Sequence, residues 1–306
     1  MVKNAGGIGR RCTCKRARTI AKTTPFPKLR REAKHDAPHR QLAALAFALL
    51  LALTGARACA EAPAGPTAQE ELRAAKLLET ALFARQSGAE EWRKMEKIYA
   101  DLGAKYPREA AVRNGHAEFL WSIGEPERAV AMWEAAAEIE PKNAVVLNHL
   151  GGSWLAAGEA KKAAGFYARA AESAPENAAY RFTCANVTFL FRHELLSPAQ
   201  PDEAAVLAVA LTHFAAASRL APLNPDYARA YAETFYSVPK PDWNAALAAW
   251  QHFAEITPQT DFAQTNLARI YLKLGQKDAA KACLAKVQSA EFQQLKERLS
   301  RRIETE

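Results

Sequence analysis

The stretch from Pro141 to Pro175 reads PKNAVVLNHLGGSWLAAGEAKKAAGFYARAAESAP, and its spacing decides the fold. Leu147, Leu150, Gly151 and Trp154 stand at i, i+3, i+4 and i+7, which is one stripe of an amphipathic helix. Gly158 breaks that helix, and Ala163, Tyr167 and Ala170 begin a second stripe that Pro175 stops. Gly151 sits inside the first stripe, where the lack of a side chain permits a close helix approach. The prolines of Lys105-Tyr106-Pro107-Arg108, Ile139-Glu140-Pro141-Lys142 and Ser173-Ala174-Pro175-Glu176 are spaced by 34 and 34 residues. A fixed period of that length marks a stacked array of helix pairs.

With Pro175 counted as position 32, Leu147 falls at 4, Leu150 at 7, Gly151 at 8, Trp154 at 11, Gly158 at 15, Ala163 at 20, Tyr167 at 24 and Ala170 at 27. In this register the segment resembles a tetratricopeptide repeat at every signature position. The unit at 110–141 repeats it with His116, Ala117, Leu120, Gly124, Ala129, Trp133 and Ala136, and the unit at 261–288 with Leu267, Ala268, Tyr271, Gly275, Ala280, Leu284 and Val287. A degenerate first unit covers 68–107, anchored by Leu82 or Phe83, Tyr99 and Leu102. Units at 178–222 and 225–258 close with prolines 47 and 36 residues after the preceding ones. The thirteen extra residues of the former are expected between its helices at about Phe191–Glu203, as an exposed connector interrupted by Pro198 and Pro201. Ala210, Phe214, Ala217 and Leu220 then resume the register, and residues 290–306 read as a polar capping helix. The resemblance implies an all-α, right-handed α-solenoid of about six tetratricopeptide helix pairs over 68–306, preceded by a basic extension and signal segment (1–60) and a linker (61–67).

In that family the first helices line a concave face that receives protein or peptide. Mapped onto this sequence, the resemblance assigns Asn114 and Trp121, then Asn148, then Phe182, Asn186 and Phe189, then Arg229 and Tyr236, and finally Asn266, Arg269 and Lys273 to the groove. Glu118, His149, Leu155, Leu190, Asp226, Glu233 and Phe262 share the same positions. Asn amides suit an extended backbone, aromatics suit its side chains, and Arg269 with Lys273 suit an acidic group. The chaperone-binding members grip a terminal carboxylate with a clamp of Lys, Asn and Arg. Its positions hold Asn148, Gly152, Thr183, Asp226 and Ala230 here, which disfavours that role.

Charge and motifs narrow the function further. The net charge of +8 is concentrated at the N-terminus: residues 1–60 hold 13 Lys and Arg against Glu32 and Asp36, leaving 28 basic and 31 acidic residues in 61–306. A mildly acidic body argues against a nucleic-acid footprint. Leu42–Thr54, LAALAFALLLALT, rises about 20 Å as a helix, too short for a bilayer core but suited to a signal peptide. Ala58-Cys59-Ala60 gives an expected cleavage after Ala60 and a periplasmic or secreted location. Cleavage one motif earlier leaves Cys59 open to lipidation, so membrane attachment is expected only if the signal is retained or that cysteine is acylated. Arg30-Arg31 lies too far from the apolar run for a twin-arginine signal, and Cys12-Thr13-Cys14 with His35 and His39 lacks a second ligand pair.

No phosphate loop, nucleophile elbow, zinc helix or haem motif occurs, so no catalytic residue, cofactor or metal is assigned. Ser153 lies within a repeat helix, His116 reads as a satisfied core imidazole, and Asn186-Val187-Thr188 is a sequon inside a helix. Cys184 and Cys283 lie two units apart, beyond disulfide reach, and are expected as free buried thiols. The expectation is a non-catalytic, exported scaffold binding protein or peptide. An envelope-assembly lipoprotein and a carbohydrate-binding accessory module are the alternatives.

Overall fold

The computed structural model describes residues 65–196 and 202–305. The extension and signal at 1–60, with the Ala60 cleavage point, lie outside the described residues. So do Pro198 and Pro201. Two compact units divide at Glu71/Leu72. In the first, Thr67 and Glu70 cap each other: the Thr67 backbone N–H donates to Glu70 at 2.8 Å and the Glu70 N–H to Thr67 Oγ1 at 3.3 Å.

The helices are α1 (Ala68–Ala84), α2 (Ala89–Lys105), α3 (Ala110–Ser122), α4 (Pro126–Ile139), α5 (Ala144–Ala156), α6 (Ala160–Ser173), α7 (Ala178–Leu190), α8 (Glu203–Leu220), α9 (Pro225–Thr234), α10 (Trp243–Ile256), α11 (Thr260–Lys273), α12 (Lys277–Ala285) and α13 (Gln293–Thr305). A short 3₁₀ turn, Ala290–Phe292, precedes α13. From α2 onward each helix packs chiefly on its neighbours in sequence, and α13 also reaches α11. Among the described residues there is no strand. The result is an all-α solenoid.

The same joint recurs in three of the helix pairs. Gly124, Gly158 and Gly275 all adopt left-handed φ of 88°, 83° and 73°, between the two helices of their units. Each turn closes with the same bond to the residue five back: Glu125 to Leu120, Glu159 to Trp154 and Gln276 to Tyr271, at 2.9, 2.9 and 2.8 Å. After the unit-closing prolines, Asn143, Asn177 and Asn224 accept backbone N–H groups and cap the next first helix. Gly151 is required by contact, because a Cβ there would stand 2.9 Å from the Tyr167 ring. Gly152 meets only the Tyr167 hydroxyl, at 3.4 Å.

The register residues form the core. Leu147, Leu150, Ala163, Tyr167 and Ala170 are buried, as are Trp133, Phe214 and Trp250. The first unit is anchored by Met95, Tyr99 and Leu102, whereas Phe83 stays exposed against Trp92 with ring centroids 4.5 Å apart. His116 stacks on Tyr99 at 5.6 Å, but its buried Nε2 has no hydrogen-bond partner, so it is a core imidazole without being a satisfied one. Burial pushes its pKa down and favours the neutral ring. Cys184 and Cys283 are free and buried, and burial raises the Cys184 thiol to about 11.

Two expectations change. The first half of the insertion is a bonded turn rather than an open connector: His193 and Glu194 are exposed, but Phe191 packs beside α7, and Arg192 donates to Glu203 at 2.7 Å and to the Phe189 carbonyl at 3.1 Å. Some of the added length lies in α8, whose 18 residues exceed the 14 of α4 and α6. By length and composition α8 could cross a membrane, yet Ala210 and Phe214 pack with α7 residue Ala185 in the solenoid core. The first helix of the fifth pair is correspondingly short: α9 ends at Thr234, so Tyr236 stands in the turn beyond it, ahead of Pro239 and Pro241.

Candidate functional site

The groove residues lie in three stretches on α3, α5, α7, α9 and α11, with Tyr236 in the turn just after α9. In the N-terminal stretch Glu118 is the hub. Its carboxylate accepts from Lys76 Nζ at 2.8 Å and Asn114 Nδ2 at 2.8 Å and meets His149 Nε2 at 3.2 Å. Asn114 Oδ1 accepts from the Trp133 indole at 3.0 Å, and Trp133 in turn stacks on His149 at 4.9 Å and lies 5.6 Å from Trp121. Burial works to raise the Glu118 pKa, but the hydrogen bonds from His149 and Lys76 outweigh it and hold the group at about 2. Asn114 and Glu118 are therefore committed to each other and to the wall, and Trp121 packs on it.

In the middle stretch Phe182 stacks on Tyr227 at 4.4 Å and meets Phe214 edge-on at 5.6 Å. Phe189 stands 6.4 Å from the same Phe214 ring. Asn148 and Asn186 are half-buried, and Leu190 is exposed. The sequence register placed both phenylalanines on one face; Tyr227 and Phe214, which hold Phe182, were not singled out as its supports.

The C-terminal stretch contains a cleft of about 260 Å³ where the end of α9, α11 and the start of α13 meet. Tyr236, Asn266 and Arg269 converge there, joined by Glu233, Phe262, Thr265, Phe292 and Leu295. Asn266 is only 4% exposed, and its amide is spent internally: Nδ2 donates to the Phe262 carbonyl at 3.0 Å, and Oδ1 accepts from the Tyr236 hydroxyl and from Arg269, both at 3.1 Å. It supports the cleft from beneath. The Arg269 guanidinium lies over the Tyr236 ring at 4.3 Å, Lys273 lies near Trp243 at 5.6 Å, and Arg229 pairs with Glu233 at 2.9 Å while covering Phe262. Burial pushes the Tyr236 hydroxyl up to about 12, so it stays a donor. Phe292 and Leu295 were missed because the C-terminal segment was read as a polar cap. The 34-residue period was the available signal: counted from Asp261 it brings a further first helix to 295.

Ser153 Oγ donates to the His149 carbonyl at 2.9 Å within its own helix. Among the described residues no group of three His, Cys, Asp or Glu side chains is placed to hold a metal.

The family profile described as "Tetratricopeptide repeat" matches residues 263–294. Among solved structures, YrrB, described as a TPR protein with an unusual peptide-binding site, superposes with a TM-score of 0.50 at 18% identity, covering 68% of this chain and 98% of YrrB. Residues 263–294 form a tetratricopeptide repeat, and the chain shares the helical-repeat fold of YrrB. Pseudomonas aeruginosa pilF is also similar, with a TM-score of 0.47, 16% identity and coverage of 78% of this chain and 98% of that one. A search of curated proteins by sequence finds no match. The profile match runs from within α11 through α12 and the 3₁₀ turn, so it includes Thr265, Asn266, Arg269 and Phe292 of the cleft.

Proposed function

We propose that the protein is a non-catalytic scaffold that receives an extended protein or peptide segment along its first-helix face. The observation that carries this is the C-terminal cleft, where an aromatic ring, a cation and an apolar floor from three successive first-helix positions meet at one opening. The fold is one that holds a peptide-binding site in YrrB, as described for that protein; here the reading rests on this chain's own cleft and on exposed Leu190 further along the face.

The test is capture with a blocked groove. Leu190→Arg places a bulky cation on an exposed groove position, and Glu134→Lys places a charge on the exposed face of α4 as a control. Partner recovered by wild type and by Glu134→Lys should be lost or at least tenfold depleted with Leu190→Arg, at unchanged helicity. Equal recovery by all three would remove the Leu190 stretch of the groove from the reading.

We also propose export, with loss of residues 1–60 and a periplasmic or secreted destination. The support is the signal-length apolar run Leu42–Thr54 followed by small residues. Intact mass of the native protein decides it: a chain starting at Glu61 fits release, one starting at acylated Cys59 fits the anchored alternative, and an unprocessed cytosolic chain overturns both.

A further inference from the structure

The two cations at the C-terminal end of the groove lack what comparable groove cations have. Lys76 meets Glu118 at 2.8 Å and Arg229 meets Glu233 at 2.9 Å. Arg269 and Lys273, one helical turn apart on α11, pair with no carboxylate among the described residues. Like charges at i and i+4 repel. Both are instead laid on aromatic rings, and a single bond from Arg269 to buried Asn266 fixes the guanidinium at the cleft. A guanidinium carries five N–H donors in a planar fork, so most remain available to an anion. Its ring support and the Asn266 bond reduce the side-chain entropy that binding would otherwise cost.

Beside this fork lies an apolar floor of Phe262, Phe292 and Leu295, with Phe262 and Phe292 centroids 6.4 Å apart. A purely ionic ligand would leave that floor wet, and a purely apolar one would leave the two cations unpaired. Glu233 also borders the cleft, but Arg229 neutralises it, so the charge left at the opening is that of Arg269, with Lys273 one turn beyond it on α11.

We infer that this cleft binds a peptide carrying a carboxylate adjacent to a large apolar side chain, the carboxylate on Arg269, with Lys273 one turn further along α11 adding positive charge, and the apolar group on the Phe262–Phe292 floor. This rests on the peptide-scaffold reading above and gives it a ligand class. The carboxylate comes either from an Asp or Glu side chain or from a chain end, and both offer the same two oxygens to the fork.

The experiment selects a random dodecapeptide library on the full chain and, in parallel, on the Arg269→Ala/Lys273→Ala variant. Both side chains are exposed, so the variant should keep its helicity and melting temperature. The basic 1–60 segment is common to both and cancels in the comparison. Wild type should enrich Asp or Glu next to Phe, Leu or Trp, and the variant should lose that enrichment. Selected peptides, labelled and followed by anisotropy, should bind the variant at least tenfold more weakly, with a smaller dependence on salt. Phe292→Ala should weaken the same peptides without restoring binding to Gln-for-Glu versions. Amidated and free-acid forms separate the two sources: loss on amidation assigns the chain end, and indifference assigns the side chain. Equal enrichment by variant and wild type, or neutral peptides binding as tightly as acidic ones, overturns this inference while leaving the scaffold reading standing. Failure of both proteins to enrich any peptide overturns both.

Discussion

At Gly151 the missing side chain is what lets α5 meet α6, since a Cβ would press on the Tyr167 ring at 2.9 Å and the ring belongs to a buried side chain that cannot swing clear. Gly151→Ala should cost about 1–3 kcal/mol in urea unfolding through overpacking, whereas Gly152→Ala, with 3.4 Å to spare, should be near neutral or stabilising because it raises helix propensity. Equal effects at both sites would refute the contact argument. Glu118 supplies the second residue-scale prediction. Its folded pKa of about 2 lies below the ordinary carboxylate value, so its contribution is complete above the unfolded pKa and is lost as pH falls from about 4.5 towards 2. Glu79, raised by burial, acts in the opposite sense, so the measurement must be a difference. The acid-side slope of stability for wild type minus Glu118→Gln should isolate the contribution of this carboxylate, and identical slopes would show that the Lys76–Glu118–His149 contacts are not stabilising in solution.

At the level of elements, the pair α7–α8 shows what periodicity reveals and what it hides. Helix pairs such as α5 and α6 could be read off because apolar stripes and breakers recur at fixed spacing, and the glycine turns and asparagine caps are set by local backbone geometry. The start of α8 could not, because Glu203 to Leu207 extends the same 3.6-residue pattern upstream and nothing in the spacing distinguishes an added helical turn from a loop. The fold of Phe191–Leu195 involves Arg192 reaching Glu203, a contact between the turn and the start of α8 that sequence spacing does not encode. The groove positions Tyr236, Asn266 and Arg269 were named by register, yet their mutual bonds depend on the distance between successive units, which register alone leaves open. Arg192→Ala removes a charge-assisted bond and a bond to the Phe189 carbonyl, so unfolding stability should drop by about 1–2 kcal/mol. A change within about 0.5 kcal/mol, the usual surface value, would make this turn the loose connector that the prolines suggested.

Across the whole solenoid, stability is expected to be shared between neighbours rather than through one centre, because each unit from α2 onward touches chiefly the units beside it. The C-terminal cluster joins Trp250, Phe253, Ile270 and Leu284 to Leu299 and Ile303 of α13, while Trp133 and the Tyr167 cluster lie several helices away. Removing residues 290–306 therefore exposes one face of that cluster and takes Phe292 and Leu295 out of the cleft. Amide exchange should rise across residues 243–285 and stay unchanged across 110–173, with peptide binding at the cleft lost although most of the chain remains folded. A uniform rise over both stretches would mean that the units fold as one cooperative block. Exchange confined to 243–285 with peptide binding retained would separate the solenoid's stability from its recognition surface and move that surface away from α13, towards the Phe182–Phe189 stretch.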